Sequence, residues 1–116
     1  MQRFILPWPP SVNRIWRTFN GRHLISKEGR LYRKRVAEVV AEAGLPGLGA
    51  ESIRVKAIAY LPDKRRRDID NLGKAVYDAL EEARVFNDDS QICDAHWLKG
   101  PIDRSNPRIE ISLETM

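Results

Sequence analysis

The chain has 116 residues, 42% of them apolar and 31% charged, with a formal net charge of +4. That length fits one domain able to hold a core without staples, and that apolar share excludes a disordered chain. The single cysteine, Cys93, excludes an internal disulfide framework, and no apolar run reaches membrane-spanning length, so no membrane role is expected.

The charge is unevenly spread. Residues 1–35 carry nine Lys/Arg against one acid, Glu28, while the remainder carries eleven against fifteen. A basic first third beside a carboxylate-rich remainder suggests a polyanion-binding surface next to a metal site; a solvated basic helix is the plainer alternative. The N-terminal Met1–Pro7 segment is too short for a secretory leader and has no small-residue cleavage site. With the lone thiol this places the expected location in the cytoplasm.

In chain order, Arg3–Leu6 reads as a short strand stopped by Pro7, and Trp8-Pro9-Pro10-Ser11 suits neither a central strand nor a helix interior. Asn20-Gly21 between Trp16–Phe19 and Arg22–Ile25 predicts a hairpin, because a type I′ turn needs positive φ at both central residues. Ser26 is a good N-cap for a helix over Lys27–Ala43, with Tyr32, Val36, Val39 and Ala43 as its buried stripe. Gly44–Gly49 forms a loop. Residues 53–60 alternate as a strand, with Ile53, Val55, Ala57 and Ala59 on one face, and the strand is expected to be central.

A second helix follows Asp70-Asn71, with Leu72, Val76, Leu80 and Ala83 at helical spacing. Gln91–Leu98 reads as a strand parallel to residues 53–60, because a helical crossover favours that pairing. Gly100-Pro101 and Ser105-Asn106-Pro107 mark a turn region, and Arg108–Glu114 alternates as a last strand. The expected fold class is α+β: one domain over residues 1–116, a mixed sheet carrying two main helices.

The stretch Arg65-Arg66-Arg67-Asp68-Ile69-Asp70-Asn71-Leu72-Gly73-Lys74 carries most of the chemistry. Three arginines run into two aspartates two apart. If the segment is extended there, both carboxylates face one spot and make hard oxygen ligands for Mg²⁺. Asp88-Asp89, beyond the helix, would supply a third if the chain folds back. The rival reading makes Asp70 the helix cap, Lys74 its ion-pair partner four residues on, and Asp88-Asp89 an ordinary polar turn. Asp94 and His96, two apart on a strand, are a weaker ligand pair than a satisfied histidine. Cys93 reads as a buried small apolar residue. There is no phosphate-binding glycine loop, so no nucleotide cofactor is expected.

The run Arg67–Leu80, with its Asp-x-Asp-Asn-x-x-Lys block leading into Asp78-Ala79-Leu80, resembles the RusA family of Holliday junction resolvases. Asn87-Asp88-Asp89-Ser90-Gln91-Ile92, Pro9-Pro10-Ser11-Val12-Asn13 and Ser26–Tyr32 are also similar to the family. The resemblance runs from near the N-terminus to about Lys99. It implies a RusA-like homodimer, a Mg²⁺-dependent endodeoxyribonuclease, with Mn²⁺ as a substitute, that resolves four-way junction DNA by paired nicks in recombination and repair. Carried over by position, it makes Asp68, Asp70 and Asp89 metal ligands and Lys74 the catalytic lysine; Asp88, Asn13 and Lys99 gain no firm role. Arg14, Arg17, Arg30, Arg33, Lys34, Arg65, Arg66 and Arg67 are the expected DNA contacts. The alternatives are a non-catalytic basic DNA-binding protein, or a related nuclease acting on flaps or duplex.

Overall fold

A computed structural model describes the backbone of residues 1–116 and the side chains of all but Val12, Asn13, Arg17, Phe19 and His23. The expectations for the side chains of Asn13, Arg17 and His23 therefore lie outside the described set. The elements are β1 (Gln2–Pro7), α1 (Val12–Ile15), β2 (Trp16–Phe19), β3 (Arg22–Ile25), α2 (Lys27–Ala43), β4 (Ile53–Leu61), α3 (Ile69–Glu82), a 3₁₀ turn (Asp89–Gln91), β5 (Ile92–Ile102) and β6 (Arg108–Thr115).

The main sheet has the order β1-β6-β4-β5. Strand β4 is inner, as its alternation predicts, pairing antiparallel with β6 and parallel with β5. α3 lies between β4 and β5 in sequence and serves as the crossover that a parallel pair needs. Ile53, Val55, Ala57 and Ala59 of β4 join Phe4, Leu6, Ile109, Ile111 and Leu113 on one sheet face. Tyr32 and Val36 of α2 and Leu72, Val76, Ala79 and Leu80 of α3 cover that face. Two helices on one side of a mixed sheet make the α+β class, with β2 and β3 forming a separate two-stranded sheet.

Local chemistry accounts for most boundaries. Asn20 (φ 50°) and Gly21 (φ 72°) take the positive φ that the hairpin turn requires. Ser26 caps α2, accepting from the Gly29 N–H at 3.0 Å while its hydroxyl donates to the Arg14 carbonyl. Gly29 sits so close to α1 that a Cβ there would lie 3.0 Å from the Ile15 carbonyl oxygen.

Four expectations are corrected. Ala43 is exposed, because the stripe of α2 leaves the sheet after Val40. Gly100-Pro101 lies inside β5. An edge strand tolerates proline, and the register shifts beside it, between Ala59 and Leu61. Cys93 is exposed, since no element covers its side of the edge strand; its thiol donates to the Gln91 carbonyl at 3.3 Å. The cap of α3 is Asp68, two residues before the Asp70 that the rival reading and the helix-start signal favoured.

Candidate active site

Asp68 has extended backbone, and its carboxylate accepts from the Asp70 N–H at 3.0 Å. Asp70 is already helical, so the strand rule that would aim the two side chains together does not apply. Both are nonetheless exposed and border one open hollow of about 830 Å³ with Arg66, Arg67, Asn71 and Lys99. Asp70 also lines an adjoining hollow of about 500 Å³ with Gly73, Lys74, Tyr77 and Trp97. A carboxylate in the first turn of a helix is held by the positive end of the helix dipole.

Lys74 does not pair with Asp70. Its ammonium donates to Asp78, four residues on, at 3.1 Å and lies 3.7 Å from Asp89. The Asp70 pairing of the rival reading is thus replaced by one in the opposite direction along the helix. Asp78, then Asp89 and Glu81, push the Lys74 pKa above its ordinary value, so it stays an ammonium at neutral pH.

The chain does fold back after α3. Asp88 and Asp89 meet Glu81, with one carboxylate oxygen from each within 4.8 Å of the others. Among the described residues this is the tightest three-carboxylate group, and Asp68 and Asp70 stand outside it. The turn is anchored on both sides. Glu81 accepts from the Asp89 N–H at 3.0 Å, and the Gln91 side-chain oxygen accepts from the Asn87 and Asp88 N–H groups at 2.8 Å. The Gln91 amide donates to the Gly49 and Glu51 carbonyls, also at 2.8 Å. The Ser90 hydroxyl holds the Asp88 carboxyl below the usual carboxylate range.

Glu81 is the residue that sequence reasoning missed. Its signal was the acidic row Asp78 and Glu81 continuing the line of Lys74 at spacings of four and three. Every candidate ligand here is a carboxylate, with neither cysteine nor histidine among them. That donor set fits a hard divalent cation and disfavours softer metals. His96 is not part of it; it is exposed and pairs with Asp94 at 2.9 Å, and Asp94 also binds Arg54 at 2.8 Å.

The expected DNA-contacting residues are of two kinds. Arg14, Arg30, Lys34, Arg65 and Arg66 are exposed. Arg33 is half-buried between Glu82 at 3.3 Å and Asp78 at 3.9 Å. Arg67 is held at 2.6 Å by Asp63, and its carbonyl accepts from Lys99, also at 2.6 Å. That contact with Arg67 lowers the Asp63 pKa to about 2, helped by the Arg65 N–H.

Carboxylates around a helix start, a charged lysine and a rim of arginines are the equipment of a hydrolase acting on phosphodiesters. The endodeoxyribonuclease RusA family model matches residues 7–114, and the chain belongs to that family. Similar relatives are the crossover junction endodeoxyribonucleases RusA of Escherichia coli (strain K12), Shigella sonnei (strain Ss046) and Enterobacteria phage 82. Each is 40% identical over 111 residues, covering 96% of this chain and 92% of the relative.

Proposed function

We propose that this chain is a Mg²⁺-dependent endonuclease that cuts four-way DNA junctions by paired nicks, acting as a homodimer in recombination and repair. The observation that carries the reading is the fold-back of α3. It sets Asp89 3.7 Å from Lys74, and Lys74 and Asp70, one helical turn apart, border the same hollow, which supports a shared role for them. Asp68, Asp70 and Asp89 would hold Mg²⁺ or Mn²⁺, with Glu81 and Asp88 fixing the second carboxylate turn. When bound, such an ion stabilises charge on a phosphoryl oxygen and lowers the pKa of a coordinated water.

The protein groups do the rest. Lys74, kept charged by Asp78, neutralises negative charge that grows on the phosphate. Arg14, Arg30, Lys34, Arg65 and Arg66 hold neighbouring phosphates without reading sequence. One chain carries one such set, and a junction cut at two equivalent strands needs two; a twofold homodimer provides them.

The test compares a synthetic four-way junction with flap and duplex DNA of matched sequence, with Mg²⁺ and with chelator. Paired nicks in the junction alone, only with the ion, are expected. Binding without any cut would favour the non-catalytic DNA-binding reading, and equal cutting of flap or duplex a broader nuclease. Light scattering that gave a monomer both free and junction-bound would defeat the dimer.

A further inference from the structure

Beside the carboxylate hollow lies a further cavity, of about 470 Å³, whose aromatic and proline wall the proposed chemistry does not use. It has the size of a small-molecule site, about 300–1,000 Å³. Trp8, Pro9 and Pro10 form one wall, Arg14 with Arg65, Arg66 and Arg67 the cationic part, and Asn71 lines it from the first turn of α3. Arg66, Arg67, Asp68 and Asn71 line both this cavity and the carboxylate hollow, so the two adjoin at the candidate metal ligand Asp68.

The wall is fixed before any ligand arrives. Trp8 packs on the core, and the buried Tyr32 hydroxyl donates to the Pro7 carbonyl at 3.0 Å. The Arg67 guanidinium lies over the Trp8 ring, 5.5 Å from its centroid, and Asp63 holds it there. An indole with a guanidinium over it is a surface of the kind that takes an unstacked base. The Asn71 amide offers both a donor and an acceptor to a base edge, and Arg14 offers charge for a phosphate.

We propose that this cavity receives one unstacked nucleotide of the DNA, next to the phosphate being cut, with its base against the Trp8 and Arg67 side chains and its edge at Asn71. The proposal rests on the nuclease reading above and adds a strand-positioning and base-reading site to it. A cavity that merely shed phosphates would need arginines but no aromatic wall.

The test uses full-length protein, parent against Trp8→Ala and Asn71→Ala, on three junctions. One is intact; the others lack the base on the 5′ or the 3′ side of the scissile phosphate. A stacking contact is worth about 5- to 150-fold. Trp8→Ala should lower kcat/KM on the intact junction by that range, and the loss should vanish on one of the two abasic junctions. Asn71→Ala should change the relative rates of junctions that differ only in that base. Equal losses on all three junctions would overturn the proposal. Asn71 is exposed, so its variant carries the cleavage test if Trp8→Ala fails to fold. A 2-aminopurine at the flanking position supplies a readout that needs no cleavage. Its fluorescence should be quenched on binding the parent and recover part of its intensity with Asn71→Ala. Unchanged fluorescence on parent binding overturns the pocket even if cutting is normal, whereas quenching without cutting leaves the pocket and overturns the nuclease.

Discussion

The Lys74 ammonium lies 3.7 Å from the Asp89 carboxylate, across the gap between α3 and the turn that follows it. Lys74 is thus shared between its own helix, through Asp78 at 3.1 Å, and the second carboxylate turn. Lys74→Ala should leave the fold intact, because the side chain is 61% exposed. Cleavage should fall by about 10²–10³-fold, the loss typical of one lost electrostatic stabiliser. Added Mg²⁺ should not restore it, since the lysine acts on the phosphate and not on the ion. Single-turnover rates across a metal titration would check this.

The pair of Asp63 and Arg67 makes a pH prediction. Arg67 holds the Asp63 pKa at about 2, below its ordinary 3.8. A depressed carboxylate contributes stability above its unfolded pKa and loses it as pH falls through the folded value. The contact should therefore be complete above pH 4 and fade toward pH 2. An NMR titration following the Asp63 carboxyl carbon should give a midpoint near 2, and Arg67→Ala should raise it toward 3.8. A midpoint already near 3.8 in the parent would mean the latch is absent in solution.

Phosphate binding should show in the salt dependence. Each contact neutralised should reduce the slope of log K against log salt by about one unit. Arg30→Ala, Lys34→Ala and Arg65→Ala should each do so, as these side chains are exposed. Arg33→Ala should do less, because Glu82 and Asp78 already engage that guanidinium. Junction-binding isotherms at several salt concentrations would decide it.

How much of this was legible depended on how local the signal was. The Asn20-Gly21 hairpin and the Ser26-capped α2 appear at their expected limits, because each rests on residues within one turn. α1 is a single turn with no periodicity to reveal it. Asp68 and Asp70 are both good caps, so the start of α3 was ambiguous by two residues, and the choice between them settled on Asp68. At the site, Asp88-Asp89 was readable as a carboxylate pair, but the fold-back that adds Glu81 is a tertiary event. Lys74 has acids at both four-residue spacings, Asp70 and Asp78, and sequence alone cannot rank them.

Gly29 tests the packing beneath the basic hairpin. Replacing a helical glycine by alanine ordinarily gains up to about 1 kcal/mol. Here the new methyl would meet Ile25 Cγ1 at 2.9 Å and the Ile15 carbonyl oxygen at 3.0 Å. A backbone oxygen cannot rotate away, so overpacking of about 1–3 kcal/mol should win. Gly29→Ala should lower Tm by thermal unfolding, and a raised Tm would show that α1 yields freely.

Asp68 and Asp70 should separate capping from catalysis. Asp68 is the cap, so Asp68→Ala should lose about 1 kcal/mol of stability along with cleavage. Asp68→Asn keeps an oxygen for the Asp70 N–H, and asparagine caps about as well as aspartate. It removes the charge a hard cation needs. Asp70 does not cap, so Asp70→Asn should leave Tm nearly unchanged apart from a small loss of favourable dipole interaction. Both asparagine variants should bind a four-way junction at least as well as the parent, since one repulsive charge is gone, while cutting falls by orders of magnitude. Asp89→Asn should behave alike and should also release Lys74 toward Asp78 alone. The measurements are Tm, junction affinity in chelator and cleavage rate in Mg²⁺, taken on the same preparations. Near-parental cutting by Asp70→Asn would remove Asp70 from the metal site and leave the Glu81–Asp88–Asp89 group as the place to look for the ion.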